Sequence, residues 1–258
     1  TVAPTGIIRA AYDAITINSV FGGNFNLTNN GEISAGDDAI IMGIGAFGTM
    51  TVTNTGEISA GGDAISMSSL AGANMLVAND GQMTAGGDAI IMTLGAAGNI
   101  MVTNTGDISA GGDAIRMSSV CAATMQVTND GQMMAGGNAI SMVNVRGGTM
   151  QVDNTGAIGS DLTPVGGSAV SMLGLSDATV TNTATASMFS LGNTIEIDAM
   201  TASVTNGGSL TSTGGVAINT RTVGTNTVIN SGTVNGAQGG IQVISIGDIA
   251  SVDNTGGA

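Results

Sequence analysis

The sequence predicts an all-β protein, a single parallel β-helix (β-solenoid) of about ten rungs with about 25 residues in each rung. Three observations predict it. A phrase ending in Asn-x-Gly recurs at a constant spacing from Asn29 to Asn154, apolar and polar residues alternate within short stretches, and glycine pairs separate those stretches. Alternation with a period of two is typical of strands, whereas a pair such as Gly61-Gly62 breaks helices. Strands this short cannot bury a face alone, so equivalent rungs must stack as parallel sheet.

Stacking at about 4.8 Å places equivalent residues in columns. An Asn column should form a turn ladder, in which side-chain amides bond one another and the backbone of a sharp corner. A Met column and an aliphatic column should fill a thin core. The Asn column consists of Asn29, Asn54, Asn79, Asn104, Asn129 and Asn154. The Met column consists of Met42, Met67, Met92, Met117 and Met142, and the aliphatic column of Ile40, Ile65, Ile90, Ile115, Ile140 and Val170.

The array is expected to form one domain over residues 1–258. Its rungs are regular over residues 1–154 and less regular over residues 155–258. In the second part the step from Asn154 to Asn182 is longer than the regular one, and the steps after Asn182 are slightly shorter. The longer step contains residues 161–164, Asp-Leu-Thr-Pro, which predict a small loop insertion.

Residues 54–65 read Asn-Thr-Gly-Glu-Ile-Ser-Ala-Gly-Gly-Asp-Ala-Ile, and this phrase is repeated along the chain. It resembles the parallel β-helix repeats of bacterial autotransporter passengers and large surface adhesins, over nearly the whole chain. The resemblance implies a right-handed coil and a location outside the cell or at the cell surface. We expect that an outer-membrane barrel was removed after Ala258 or that the protein was never an autotransporter. A first residue Thr1 in place of Met suggests a processed N-terminus, as secretion would produce.

Composition argues against several function classes. The chain has no His and no Lys, and its four Arg face 18 Asp and Glu, for a formal net charge of −14. Phosphate binding needs clustered cations, so nucleic acid and anionic membranes are not expected partners. No apolar run reaches the roughly 18 residues of a membrane helix, so no membrane insertion is expected. Glycan-cleaving β-helix enzymes use clustered carboxylates, long loops and aromatic rings, and this chain has one Tyr and four Phe. We therefore expect no enzymatic activity.

An Asp column is the sharpest polar signal in the sequence. Carboxylates about 5 Å apart repel one another. They would form either a row of weak calcium sites or a set of acceptors for backbone N–H groups at the glycine turns. Apart from this calcium, no cofactor is expected. The column consists of Asp13, Asp38, Asp63, Asp88 and Asp113.

Three other patterns receive structural interpretations. The Met column would bind copper(I) only with soft partners that the chain lacks, so we interpret it as core. Cys121 stands where neighbouring rungs have Ala, and no base is present to activate it. Thr53-x-Thr55 resembles the rows of ice-binding solenoids, a minor alternative because Ala78 and Asp80 interrupt the row.

The two ends of the sequence are in phase, since residues 251–256 begin the repeat that residues 1–6 open. A head-to-tail contact of this kind does not close and generates a filament. The predicted function is a structural subunit of a self-assembling extracellular filament, which binds copies of itself by β-strand addition. Pro4 is a difficulty, because an edge proline can also block pairing. The predicted polymer interface consists of Val2, Pro4, Gly6, Ile8, Val252, Asn254 and Gly256.

The alternative is a cell-surface adhesin or passenger shaft whose residues 155–258 bind a ligand such as a surface or matrix glycan. Phe189, Glu196, Asp198 and Arg221 break the ladder chemistry in this part of the chain. In-phase ends favour the filament, because a shaft fragment has no reason to begin and end at the same point of its repeat.

Overall fold

The computed structural model describes residues 1–255. Those residues form thirty strands, arranged as three ten-stranded sheets in which all neighbours are parallel. Each turn of the chain contributes one strand to each sheet, so the predicted β-solenoid of about ten rungs is confirmed. No helix in residues 1–255 is long and apolar enough to cross a membrane.

Each rung contains three strands in chain order, one from each sheet. Sheet 1 consists of β1 (Ile7–Ala10), β4 (Glu32–Ala35), β7 (Glu57–Ala60), β10 (Gln82–Ala85), β13 (Asp107–Ala110), β16 (Gln132–Ala135), β19 (Ala157–Ile158), β22 (Ser187–Ser190), β25 (Ser209–Ser212) and β28 (Thr233–Gly236). Sheet 2 consists of β2 (Ile15–Ser19), β5 (Ile40–Ile44), β8 (Ile65–Ser69), β11 (Ile90–Leu94), β14 (Ile115–Ser119), β17 (Ile140–Asn144), β20 (Val170–Gly174), β23 (Ile195–Ala199), β26 (Val216–Thr222) and β29 (Gly239–Ser245). Sheet 3 consists of β3 (Gly23–Asn29), β6 (Gly48–Asn54), β9 (Ala73–Asn79), β12 (Asn99–Asn104), β15 (Thr124–Asn129), β18 (Thr149–Asn154), β21 (Asp177–Asn182), β24 (Thr201–Asn206), β27 (Asn226–Asn230) and β30 (Ala250–Asn254).

Three corners connect the strands of a rung, and we name them in chain order. In the third rung, corner 1 covers residues 61–64 between sheets 1 and 2, and corner 2 covers residues 70–72 between sheets 2 and 3. Corner 3 covers residues 80–81 and leads to sheet 1 of the next rung. Glycine is required at corner 3, because a Cβ at Gly81 would overlap the Gly56 carbonyl oxygen one rung below.

The strand register follows the sequence repeat. Met92 pairs with Met67 on one side and with Met117 on the other. Alternate residues of each strand point inward, and the inward Ile and Met columns of sheet 2 are fully buried from the second to the sixth rung. Sheets 1 and 3 add columns that begin at Ile33, Met50 and Val52, so the core is a narrow stack of aliphatic and Met side chains.

The predicted loop insertion lies between β19 and β20. β19 has only two residues, and the extra chain turns back on itself where the Ser160 N–H donates to the Thr163 carbonyl over 3.0 Å. Val165 then rejoins sheet 1 through a parallel bridge to Ser190. Beyond the loop the register is restored, because Val170 pairs with Ile140.

Candidate assembly interface

The Asn residues form one hydrogen-bonded ladder inside corner 3. Asn79 is fully buried, and its Nδ2 donates to Asn104 Oδ1 over 2.8 Å and to the Gly81 carbonyl over 3.2 Å. Nine such amide–amide bonds join the ten rungs, so the ladder continues beyond the six Asn residues of the regular rungs. Its members in the less regular rungs are Asn182, Asn206, Asn230 and Asn254.

The Asn ladder has a direction. Each amide donates to the rung that follows it in the chain, as Asn230 Nδ2 does to Asn254 Oδ1 over 2.7 Å. The ladder therefore presents an Nδ2 donor at Asn254 and an Oδ1 acceptor at Asn29, and the two ends are chemically complementary.

Residues 1–6 lie along the free edge of β3. The Val2 N–H donates to the Thr28 carbonyl over 2.7 Å, and the Asn30 N–H donates to the Val2 carbonyl over 3.0 Å. Val2 is buried by these contacts, whereas Pro4 is exposed and Gly6 half-buried. Three residues assigned to the polymer interface from the sequence thus belong to a segment that is already docked on its own chain.

Both ends of the solenoid have open sheet edges. Within residues 1–255, β1 and β2 each have a single neighbour, and so do β28 and β29. The inward side chains of these end rungs are only partly buried, namely Ile8, Ile15, Ile17, Val234, Ile241 and Val243. Every residue of β30 is exposed, including Val252 and Asn254 of the predicted interface. Gly256 lies outside the described residues.

The Asp column forms a second ladder, at corner 1. The Asp88 N–H donates to Asp63 Oδ1 over 2.8 Å, and the Asp113 N–H donates to Asp88 Oδ1 over 2.7 Å. Asn138 takes over the acceptor role one rung after Asp113, since its Oδ1 accepts the Ser168 N–H over 2.8 Å. One oxygen of each side chain is thus bonded to the backbone of the next rung, which accounts for the regular Gly-Gly-Asp phrase: a Cβ at Gly87 would lie 2.5 Å from Asp63 Oδ1.

The stacked carboxylates carry an electrostatic cost. Burial raises the pKa of Asp63 and Asp113 above the ordinary aspartate value, against the opposing effect of the accepted backbone N–H. The charges of neighbouring carboxylates, chiefly Asp38 and Asp88, raise the pKa of these groups further. Arg116 offsets part of this repulsion, because its Nη1 lies 3.6 Å from Asp88 Oδ2 and its charge lowers the pKa of Asp113.

Among residues 1–255, no three or more His, Cys, Asp or Glu side chains gather into a group that could hold a metal ion. Weak calcium binding at the Asp column therefore remains a prediction. Titration calorimetry of chelator-treated protein tests it, since a saturable heat on adding Ca²⁺ supports the site and the absence of heat contradicts it.

A polar groove lies on the outer face of sheet 2 in the C-terminal rungs. Glu196 pairs with Asn219 in one outward column, and Asp198 pairs with Arg221 in the next. Arg221 Nε lies 3.6 Å from Asp198 Oδ2. Phe189 does not join this group, because it lies on sheet 1 beside Thr211.

An exposed apolar column at corner 2 was not identified from the sequence. It begins at Val20, and Gly replaces the apolar side chain in the second and fourth rungs, at Gly45 and Gly95. The signal was present as one apolar residue directly after eight of the ten sheet 2 strands, but a single exposed residue per rung has no alternation that would mark it. The column consists of Val20, Leu70, Val120, Val145, Leu175, Met200, Val223 and Ile246, which are between 44% and 82% exposed. We call it the corner 2 ridge.

Two residues singled out earlier lie near corners. Cys121 is a free, half-buried thiol directly after Val120 of the corner 2 ridge. Thr53 belongs to β6, but Thr55 lies beyond the end of that strand, in corner 3.

Comparisons of the chain with known protein families, with curated proteins and with solved structures give no match. The repeats are those of a parallel β-solenoid.

Proposed function

We propose that the chain is the structural subunit of an extracellular or cell-surface filament, and that copies stack head to tail through their terminal rungs. The observation that carries this proposal is the match between the two open ends. Ile8, Ile15 and Ile17 stand at one end of three inward columns, and Val234, Ile241 and Val243 stand at the other end of the same three columns. Stacking buries both sets of apolar side chains and pairs two open edges.

In sheet 3 the contact requires an exchange of strands. Residues 1–6 occupy the edge of β3 that β30 of another copy would pair with. Once β30 is in that place, Asn254 Nδ2 faces the Asn29 Oδ1 of the next copy, and the Asn ladder runs on without interruption. Pro4, which stands at the ladder position in residues 1–6, cannot extend the Asn ladder, because it has no amide side chain and no backbone N–H. The exchange therefore gives up the two backbone hydrogen bonds of Val2 and exposes its side chain. In return, stacking gains a ladder bond and the β28–β1, β29–β2 and β30–β3 pairings.

Negative-stain electron microscopy of the purified protein tests this proposal. Ten rungs at about 4.8 Å predict fibres with an axial repeat of about 48 Å. Deletion of residues 1–6 should accelerate assembly, because the edge of β3 is then free. Monodisperse particles of 25.0 kDa at every concentration contradict the proposal.

End-blocking variants identify the surfaces involved. Ile17→Asp places a charge in the first rung and Val243→Asp in the last, and each variant alone should remain unpolymerised. An equimolar mixture should form one-to-one dimers, because each variant keeps one functional end. Thr16→Asp is the matched control, since Thr16 points outward from the same strand and is exposed. Equal polymerisation of Ile17→Asp and Thr16→Asp would show that the terminal rungs are not the interface.

The polar groove of sheet 2 supports a second candidate, an adhesin or passenger shaft that binds glycans. Carboxylates, amides and a guanidinium lie side by side at Glu196, Asn219, Gln242 and Arg221, and such groups hydrogen-bond sugar hydroxyls. The resemblance to autotransporter and adhesin repeats supports the same interpretation. Arg221→Ala should abolish binding on a glycan array, whereas Phe189→Ala, on another sheet, should not change it.

A further inference from the structure

The corner 2 ridge is exposed over the full length of the solenoid. Its column runs from Val20, in the first rung, to Ile246, in the last. Val20, Leu70 and Ile246 are 79%, 82% and 72% exposed. Exposed apolar side chains that follow one another in this way mark an interaction surface more often than a scatter of single residues does.

The acidic residues avoid this ridge in the first six rungs, whereas Asp248 lies in corner 2 of the last rung. In residues 1–154, Asp and Glu occur at corner 1, at corner 3 and on sheet 1, and sheets 2 and 3 contain only Asp153. Corner 2 has no Asp or Glu in these six rungs. A chain with a net charge of −14 repels its own copies. An approach along corner 2 keeps the acidic corners of two copies farthest apart, so the charge distribution favours a second copy of this chain at this surface.

The shape of the ridge also suits a copy of itself. Val20, Leu70 and Val120 project from alternate rungs, and Gly45 and Gly95 leave gaps between them. A shallow groove lined by Val20, Gly45 and Leu70, with Ser68 beside them, lies along one side. In an antiparallel pair that overlaps over all ten rungs, Val223 of each copy faces the gap at Gly45 of the other, and Leu175 faces the gap at Gly95. These are the reciprocal contacts of a two-fold interface.

We propose that two copies of this chain associate side by side along the corner 2 ridge. A stable interface buries about 800 Å² on each partner. On a solenoid of ten rungs, about 48 Å long, that area is a strip about 17 Å wide. The ridge runs along the middle of such a strip, and in the first four rungs it is flanked by two grooves, one containing Val20 and Leu70 and the other Phe47 and Gly72. This association is independent of head-to-tail stacking, and it would join two filaments laterally.

The test uses sedimentation equilibrium of the end-blocked Ile17→Asp chain, in which head-to-tail growth is prevented. This chain should form a dimer of twice 25.0 kDa. Adding Leu70→Asp and Val120→Asp should weaken the dimer at least about tenfold, because two charges enter an apolar contact. Thr84→Asp together with Ser109→Asp is the matched control, because both residues are exposed on sheet 1 and the pair adds the same two charges away from the ridge.

Alkylation of Cys121 gives a second readout. It lies beside Val120, so its reaction with iodoacetamide should slow as the protein concentration rises in the control and stay constant in the ridge variant.

Three outcomes overturn the proposal. They are a purely monomeric end-blocked chain, equal dimerisation of the ridge variant and the control, and binding of the ridge to neutral lipid vesicles in place of a copy. Val243→Asp, which blocks the other end, repeats the test and shows whether the result depends on the Ile17→Asp substitution itself. Wild-type dimers without fibres would reject the filament and retain the lateral pair, whereas single unpaired fibres would do the reverse.

Discussion

The six rungs up to Asn154 and the four rungs after it form the same three sheets with different interiors. In the inward column of sheet 2 that begins at Ile17, Met residues continue from Met42 to Met172, and the last three rungs carry Ile197, Thr220 and Val243. In a column of sheet 3, Met150 is followed by Ala178, Ala202, Asn226 and finally Ala250. The strand register is unchanged across this transition.

The two regions also differ in how well their buried polar atoms are paired. In the described chain, four buried side-chain atoms have no hydrogen-bond partner; three lie after Asn154 and one in the last regular rung. They are Asn144 Oδ1, Thr183 Oγ1, Thr220 Oγ1 and Asn226 Oδ1. The comparison shows that the fold requires the Asn ladder and the tight corners, which are common to both regions, more than it requires any one core residue.

The largest expected effect is therefore loss of a ladder residue, and it should be equal in both regions. Asn104→Ala and Asn206→Ala each leave buried amide and carbonyl groups without partners, and each should lower the free energy of unfolding by about 3 kcal/mol or more. Asn99→Ala is the control, since its amide bond to Asn74 is exposed. Urea unfolding followed by circular dichroism measures the three variants, and a much smaller loss for Asn206→Ala would mean that the later rungs do not depend on the ladder.

A smaller effect should distinguish a tight corner from a loose strand. A Cβ at Gly106 would overlap the Gly81 carbonyl oxygen, whereas a Cβ at Gly240 meets nothing closer than 3.7 Å. Gly106→Ala should cost about 2–3 kcal/mol and Gly240→Ala almost nothing. Thermal denaturation of both variants checks this, and equal melting temperatures would show that the corner relaxes freely.

The later rungs should be easier to stabilise. Thr220→Val removes a buried hydroxyl that has no partner and should raise the free energy of unfolding by about 1 kcal/mol. Thr222→Val should do the opposite, because the buried Thr222 Oγ1 donates to the Gly224 carbonyl over 2.8 Å. The same denaturant titration compares them, and destabilisation by Thr220→Val would point to an ordered water on that hydroxyl.

The smallest effect concerns charge in the regular rungs. Because the pKa of Asp113 is raised in the folded state, the carboxylate opposes folding at neutral pH, and stability increases as the pH falls through that pKa. Asp113→Asn should stabilise the protein at pH 7 by less than about 1 kcal/mol, with no difference once Asp113 is protonated. Asn138 already accepts an N–H in this way. A gain that persists at low pH would show that charge is not its cause.

The fold was predictable because the period alone sets the register. Asn54 pairs with Asn79, and the longer step that follows Asn154 located the loop before Val170. The docking of Val2 on β3 was not predictable, since the repeat places Val2 and Val252 in the same phase without saying which of them pairs with that edge. The separation of Phe189 from Glu196 was missed because a rung with three faces sends residues seven positions apart to different sheets.

The loop at residues 159–164 bears on how such a chain can acquire new properties. It leaves the rung beside a strand of only two residues, and the ladders resume in register behind it. A foreign peptide grafted between Ser160 and Thr163 would therefore be displayed at a fixed position along the solenoid. Its length would not change the register of the neighbouring rungs. Insertions of this kind give the solenoid a route to diversify its surface one corner at a time while its interior stays the same.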